Sequence, residues 1–144
     1  MKVERSIEIA APPEAVYDLI ADPNRLGEWV TIHQYVDEGV PDELVKGAKM
    51  SQCLKLAGRK FKVEWTVVEN DRPSHVVWEG KGPLGSKARA VYDFSESGGT
   101  THFTYSNEYE LPGGSVGKLA GPAVRKVTGK ELDASLENLR KLVE

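Results

Sequence analysis

The sequence predicts an α+β fold in which one antiparallel sheet of six to seven strands curves around a long C-terminal helix. Three observations carry this. A strand-like opening, Val3–Ala10, runs straight into two short helical patterns. Strand-like segments separated by turn signals then fill residues 32–111. The last thirty or so residues return to an amphipathic helical period.

In the opening strand Val3, Arg5, Ile7 and Ile9 alternate with Glu4, Ser6 and Glu8, the period-two signature of a strand with one enclosed face. Ala11-Pro12-Pro13-Glu14 reads as a helix start, since proline is tolerated in the first turn and an acid is favourable there. Val16, Leu19 and Ile20 give that helix its apolar stripe. Asp22-Pro23-Asn24 stops it and opens a second short helix, with Asp22 as N-cap and Leu26 and Trp29 turned inward.

Beyond Ile32 the segments near 32–38, 47–57, 59–70, 74–82, 86–96 and 100–111 are divided by Gly39-Val40-Pro41-Asp42, Gly58, Asp71-Arg72-Pro73, Gly82-Pro83-Leu84-Gly85 and Ser97-Gly98-Gly99. Connections this short join antiparallel neighbours, so the segments predict a meander and not βαβ units. Phe61, Val63, Trp65 and Val67 alternate with charged and polar residues, as do Ala88, Ala90, Tyr92 and Phe94, and Phe103, Tyr105, Asn107 and Tyr109. Each strand therefore has a wet and an enclosed face. After Pro112-Gly113-Gly114, Leu132, Leu136, Leu139 and Val143 form one helical stripe. Val116, Ala120, Ala123 and Val127 form a weaker one, where Pro122 is expected to remove a hydrogen bond or restart the helix.

The chain has 144 residues, enough for one domain spanning 1–144. Nineteen Lys and Arg against twenty-two Asp and Glu give a net charge of -3. That mixed surface argues against a nucleic-acid partner. Cys53 is the only cysteine, which excludes an internal disulfide and a cysteine-built zinc site. The N-terminus shows no apolar signal region, and no run approaches the length of a membrane span. The expectation is a soluble cytoplasmic protein, complete from its first residue, monomeric or homodimeric.

A strongly twisted sheet curls, and a long helix across its concave side can leave a space. The enclosed face mixes large apolar residues with small ones (Gly80, Ala88, Ala90) and polar ones (Gln52, Tyr92, Tyr105, Asn107, Tyr109). Buried amides and phenols need partners, so repeated polar groups on an inward face fit a partly hydrated pocket. A filled core with hydroxyls at its rim is the alternative.

The opening strand, the stretch "APPEAVYDLIADPNRLGEW", the meander and the closing helix together resemble the START-like (SRPBCC), Bet v 1-type helix-grip superfamily, over the whole chain. The signature running from Ala-Pro-Pro-Glu to Glu-Trp is that of its bacterial polyketide cyclase/dehydrase branch. "EWVTIHQYVDEGVPDELVKG" followed by "KVEWTVVE" is similar to a small group of actinobacterial members, which includes the toxin of a mycobacterial toxin–antitoxin pair. The resemblance implies a helix-grip fold with a cavity for a hydrophobic ligand. Fold alone does not fix the chemistry.

Catalytic constellations are scarce. His33, His75 and His102 lie on different predicted strands with no metal-ligand spacing, so neither metal nor cofactor is expected. Cys53 falls on the face opposite Met50, Gln52 and Leu54 and reads as an inert thiol. Gly80-Lys81-Gly82-Pro83-Leu84-Gly85 precedes a strand and is a hairpin turn, not a phosphate loop. No catalytic residue is assigned, and no carboxylate points clearly inward. His33 is the one neutral-pH titrating group that reaches toward the pocket mouth. The basic residues Lys46, Lys49, Lys55, Arg59, Lys60 and Lys62 read as a solvated face that discourages edge pairing. The residues therefore point to a container for a hydrophobic or amphipathic small molecule. Phe61, Val63, Trp65, Trp78, Phe94 and Phe103 are its expected apolar walls, and Gln52, Tyr92, Tyr105, Asn107 and Tyr109 its polar anchors. The helix half around Gly121-Pro122, with loops 82–85 and 112–115, is the expected gate. A cyclase or dehydratase using the same cavity, and a toxin-like protein acting on a macromolecular partner, are the alternatives.

Overall fold

The structure, a computed structural model, describes residues 2–37, 45–56, 58–110 and 115–144, with residue 84 and residues 115–124 described by backbone alone. Seven strands follow the expected segments: β1 (Lys2–Ile9), β2 (His33–Val36), β3 (Lys49–Leu56), β4 (Arg59–Asp71), β5 (His75–Lys81), β6 (Lys87–Ser97) and β7 (Thr100–Glu110). They form one antiparallel sheet in the order β1-β7-β6-β5-β4-β3-β2. The meander thus runs from β2 to β7, and β1 closes onto β7. Its sharpest turn places Gly98 and Gly99 at φ 60° and 83°, a backbone region that glycine enters without steric cost.

Three helices complete the fold: α1 (Pro13–Ile20), the four-residue α2 (Leu26–Trp29) and α3 (Ser115–Val143). A 3-10 turn over Pro23–Arg25 joins the first two, and Asp22 caps it by accepting the Asn24 backbone N–H at 3.0 Å. The α3 backbone runs through Pro122 without restarting, unlike the expectation at that position. The expected gate side chains at 112–124 lie outside the described residues.

Register rows show what the curved sheet encloses. Met50, Trp65, Gly80, Ala88 and Tyr109 stand side by side across five strands. In the next row Val67, Trp78, Ala90, Asn107 and Val3 are aligned. Trp65 and Gly80 are complementary: a Cβ on Gly80 would lie 2.6 Å from Val63 Cγ1 and 2.8 Å from Trp65 Cε3. The indole covers the strand where a side chain is missing, an arrangement that spares glycine its usual cost in a sheet.

The α3 helix packs most closely against β1 and α2. Leu132, Leu136 and Leu139 are buried, as the stripe predicts. A polar clasp holds the other side: Thr31 N–H donates to Ser135 Oγ at 3.0 Å, Thr31 Oγ1 bonds Glu131, and Asn138 Nδ2 donates to the Trp29 carbonyl at 3.4 Å. Arg5 crosses the helix at Gly129 to reach Asp133 at 3.0 Å, where any Cβ on Gly129 would lie 2.6 Å from its guanidinium. At the opposite end Tyr17 bonds Asn70 and Arg72 pairs with Asp18, fastening α1 to the β4–β5 turn.

Replacing Gly80 by Ala is expected to destabilise the protein by about 1–3 kcal/mol through this overpacking, read as a lowered midpoint in urea denaturation. The imidazole of His75 bridges three strands, with Nδ1 2.5 Å from Asp93 and Nε2 2.9 Å from Glu69. The Asp93 bond raises its pKa above the usual histidine value, with Glu69 adding to the effect. Its stabilising contribution is therefore complete below the unfolded-state pKa and disappears as pH rises through the higher folded-state value. The stability difference between wild type and His75→Gln is expected to shrink between mildly acidic and alkaline pH.

Candidate functional site

The enclosed face is a continuous chain of rings. Trp65 and Trp78 meet edge-on with centroids 6.0 Å apart, Trp78 meets Tyr92 at 5.7 Å, and Tyr92 meets Tyr105 at 4.7 Å. Phe103 stacks on Tyr92 at 6.0 Å and contacts Phe94 at 5.0 Å. Two rings come from the helices: Trp29 reaches Tyr105 at 6.4 Å, and Tyr17 reaches Phe94 at 6.0 Å. Offset and edge-on contacts of this kind add to the stabilisation from burial itself.

Polar groups thread this wall in two short networks. Trp65 Nε1 donates to Gln52 Oε1 at 2.9 Å, and Gln52 Nε2 lies 2.8 Å from His33 Nδ1. Because the amide oxygen takes the indole proton, the amide nitrogen is the donor, and Nδ1 of His33 must accept. That fixes a neutral imidazole with its proton on Nε2. Burial also depresses the pKa of His33. In the second group Tyr92, Tyr105 and Asn107 stand together on β6 and β7, and burial raises the pKa of both tyrosines. Both hydroxyls stay protonated at neutral pH and serve as donors. Tyr109 reaches the helix, its hydroxyl 3.2 Å from Thr128 Oγ1.

The expected wall residues Val63, Trp65, Trp78, Phe94 and Phe103 are buried together with Gln52 and Tyr92, while Phe61 is half-buried toward the β3–β4 turn. The expected anchors prove to bond chiefly to one another and to nearby side chains. Gln52 is bound on both sides. Sequence reasoning missed the ring contributions of Trp29 and Tyr17 and the Gln52–His33 contact. Helical periodicity places Trp29 inward but carries no information about which sheet residue it meets. Cys53 is buried although its register position faces outward, opposite Lys62 and Tyr35. An open groove of about 950 Å³ is lined by the inward row Met50, Trp65, Gly80, Ala88 and Tyr109 together with charged residues of β3 to β7. Among the described residues no group of His, Cys, Asp and Glu is arranged to hold a metal ion, and no helix is long and apolar enough to cross a membrane.

The sequence matches the family model described as "polyketide cyclase / dehydrase and lipid transport" over residues 1–144. The chain belongs to that family. Among curated members, the protein named Toxin Rv0910 from Mycobacterium tuberculosis is 26% identical over 139 residues, covering 95% of this chain and 94% of that one. A crystal structure of TTHA0849 from Thermus thermophilus superposes with a TM-score of 0.83 at 19% identity, covering 99% and 97% of the two chains. A START superfamily protein from Mycobacterium smegmatis gives 0.76 at 16% identity, covering 99% and 96%. At such identities the structural likeness speaks for the fold, which is the helix-grip fold of START-like proteins. In this family member the ring chain and its two polar networks occupy the concave side, between the sheet and the elements that close it.

Replacing Gln52 by Leu strands the indole N–H of Trp65 and frees Nδ1 of His33. A loss of about 1–3 kcal/mol is expected from the unsatisfied donor. The histidine signals are expected to separate in a pH titration by NMR, with His33 titrating below the usual value and His75 above it. Gln52→Leu should move the His33 midpoint and leave that of His75 unchanged.

Proposed function

We propose that the protein binds a hydrophobic or amphipathic small molecule, a lipid or polyketide-like compound, between the concave face of the sheet and α3. One observation carries this reading: an aromatic wall with polar groups threaded through it lies on the inward face of a half-open sheet. Ala88 and Tyr109 of the first register row stay half-buried at the open groove. Ligand sites are built in this way, mostly apolar with a few placed polar groups. The family's description, which includes lipid transport, supports the same reading.

A cyclase or dehydratase would need a group poised to take a proton near neutral pH. Burial pushes Tyr92 and Tyr105 away from that role, and His33 has one nitrogen occupied by Gln52. The geometry thus favours binding and orientation over turnover. The name of the mycobacterial relative motivates a surface-acting reading, which substitutions on the concave face would leave intact.

Native mass spectrometry of the purified protein, followed by denaturing extraction, tests the proposal. A bound apolar compound is expected in the wild type. Its occupancy should fall at least several-fold in a Tyr105→Phe, Asn107→Leu double variant that retains the wild-type circular dichroism. A protein that carries no compound and takes up none from a bacterial lipid extract would overturn it.

A further inference from the structure

A net charge of -3 conceals a separation of charge between the two ends of the sheet, which the binding role proposed above does not use. One end carries the β3–β4 and β5–β6 turns, and around them Lys55, Arg59, Lys60, Lys62, Lys81 and Lys87 are all exposed. No acid interrupts residues 52–63. The other end carries the β4–β5 and β6–β7 turns and the start of α1. Its carboxylates include Glu8, Asp18, Glu69 and Asp93, bonded to Arg72, His75 and His102. Folding gives no reason for the basic end. Lys55 stands directly opposite Lys60, and Lys81 directly opposite Lys87. Like charges facing each other across two strands destabilise a sheet. Among the described residues Lys62 pairs with Asp37 at 3.3 Å, while Lys55, Arg59, Lys60, Lys81 and Lys87 have no ion-pair partner. Glu64 and Glu110 flank the Lys81–Lys87 pair in register without bonding to it.

The β3–β4 hairpin also projects. Its last register pair is Leu56 and Arg59, whereas β5 pairs with β4 from Glu64 onward, so residues 59–63 extend past the end of β5. Phe61 packs back against the core, but Leu56 at the tip is half-exposed and stands apart from it. An aliphatic side chain collared by cations fits an anionic bilayer better than another polyanion. Cations at the headgroup level are drawn to anionic lipid, each adding a comparable increment. The aliphatic tip among them gains by leaving water. A nucleic-acid strand would need rings on which its bases stack. Tyr35, the exposed ring in register with this hairpin, is instead covered by Lys62, whose ammonium lies 5.7 Å from the ring centre. A polyanion long enough to follow the sheet would also run onto the acidic end, whereas a flat surface meets one end alone. The open groove reaches the basic end through Gly80, Lys81, Lys87 and Ala88, so docking here sets it against the lipid.

We infer that the protein docks on anionic phospholipid bilayers through the β3–β4 hairpin. Lys55, Arg59 and Lys60 meet the headgroups, Leu56 enters between them, and the β5–β6 lysines make a second contact. The test sediments the intact protein with vesicles of phosphatidylcholine, alone or with about one-third phosphatidylglycerol. Partitioning is expected to be about tenfold or more stronger on the anionic vesicles and to fall as salt rises. Lys60→Gln relieves the repulsion with Lys55, so the fold should hold, and binding should weaken about fivefold. Lys141→Gln removes the same charge from the exposed last turn of α3, beside the acidic end, and should change nothing. Leu56→Gln keeps every charge and should still weaken binding, as adsorption by charge alone would not. Equal partitioning on the two vesicle types, no partitioning, or equal effects of Lys60→Gln and Lys141→Gln would overturn the inference. So would tighter binding to a single-stranded oligonucleotide than to the anionic vesicles at the same salt. None of these outcomes alters what the denaturing extraction above reads, so failure of the docking surface and failure of the container are distinguishable.

Discussion

Much of this structure depends on one close fit, the Trp65 indole lying across Gly80. A single sheet with one enclosed face has to cover that face with few side chains, because its opposite side is given to solvent. Large rings are the efficient solution, but a ring needs room to lie flat against the neighbouring strand. Gly80 provides that room, and Val63 and Trp65 fill the place its side chain would take. From there the indole N–H reaches Gln52, and Gln52 in turn holds His33 of the edge strand. A packing constraint at one residue pair thus orders a polar network spanning β2, β3 and β4. The same ring opens the chain of aromatic contacts that runs through Trp78 and Tyr92 to Tyr105.

The polar groups on the concave face follow one rule. Each costs free energy when withdrawn from water unless it is bonded, and most are bonded to one another. Tyr92, Tyr105 and Asn107 form one group, and Trp65, Gln52 and His33 another. Titration then separates by environment. Burial holds the tyrosines protonated and His33 neutral, while two carboxylates favour the charged form of the half-exposed His75. Among the described residues the buried part of the enclosed face is uncharged across the neutral range, and the charge lies at its edges and on the outward side. That segregation follows from desolvation and makes the concave face suited to apolar company.

Strand alternation made the architecture legible in the sequence. The inward sets on β4, β6 and β7 are those that alternation selects, because the side-chain period of a strand is two and admits only one enclosed set. The helical stripe of Leu132, Leu136 and Leu139 was equally readable. Cross-strand and helix-to-sheet relations were not. That Gln52 meets both Trp65 and His33 depends on the register of two strand pairs, including an irregularity in β2. That Trp29 reaches Tyr105 depends on how α2 is set down over the sheet. Cys53 illustrates the limit from the other direction: its face was read correctly from alternation, yet its burial was not.

The sequence by itself determined the order of elements, the enclosed face of each strand and the family, because these rest on local periodicity and on residues adjacent in the chain. Only the tertiary structure decided which polar groups on that face are satisfied and which are left over. Hydrogen bonding is a matter of distances between atoms many residues apart, and composition is silent on them. Gln52, a natural anchor by residue type, is occupied by its neighbours. Trp78, by type a wall residue, is buried with its one donor unbonded, because no acceptor among the described residues comes within reach.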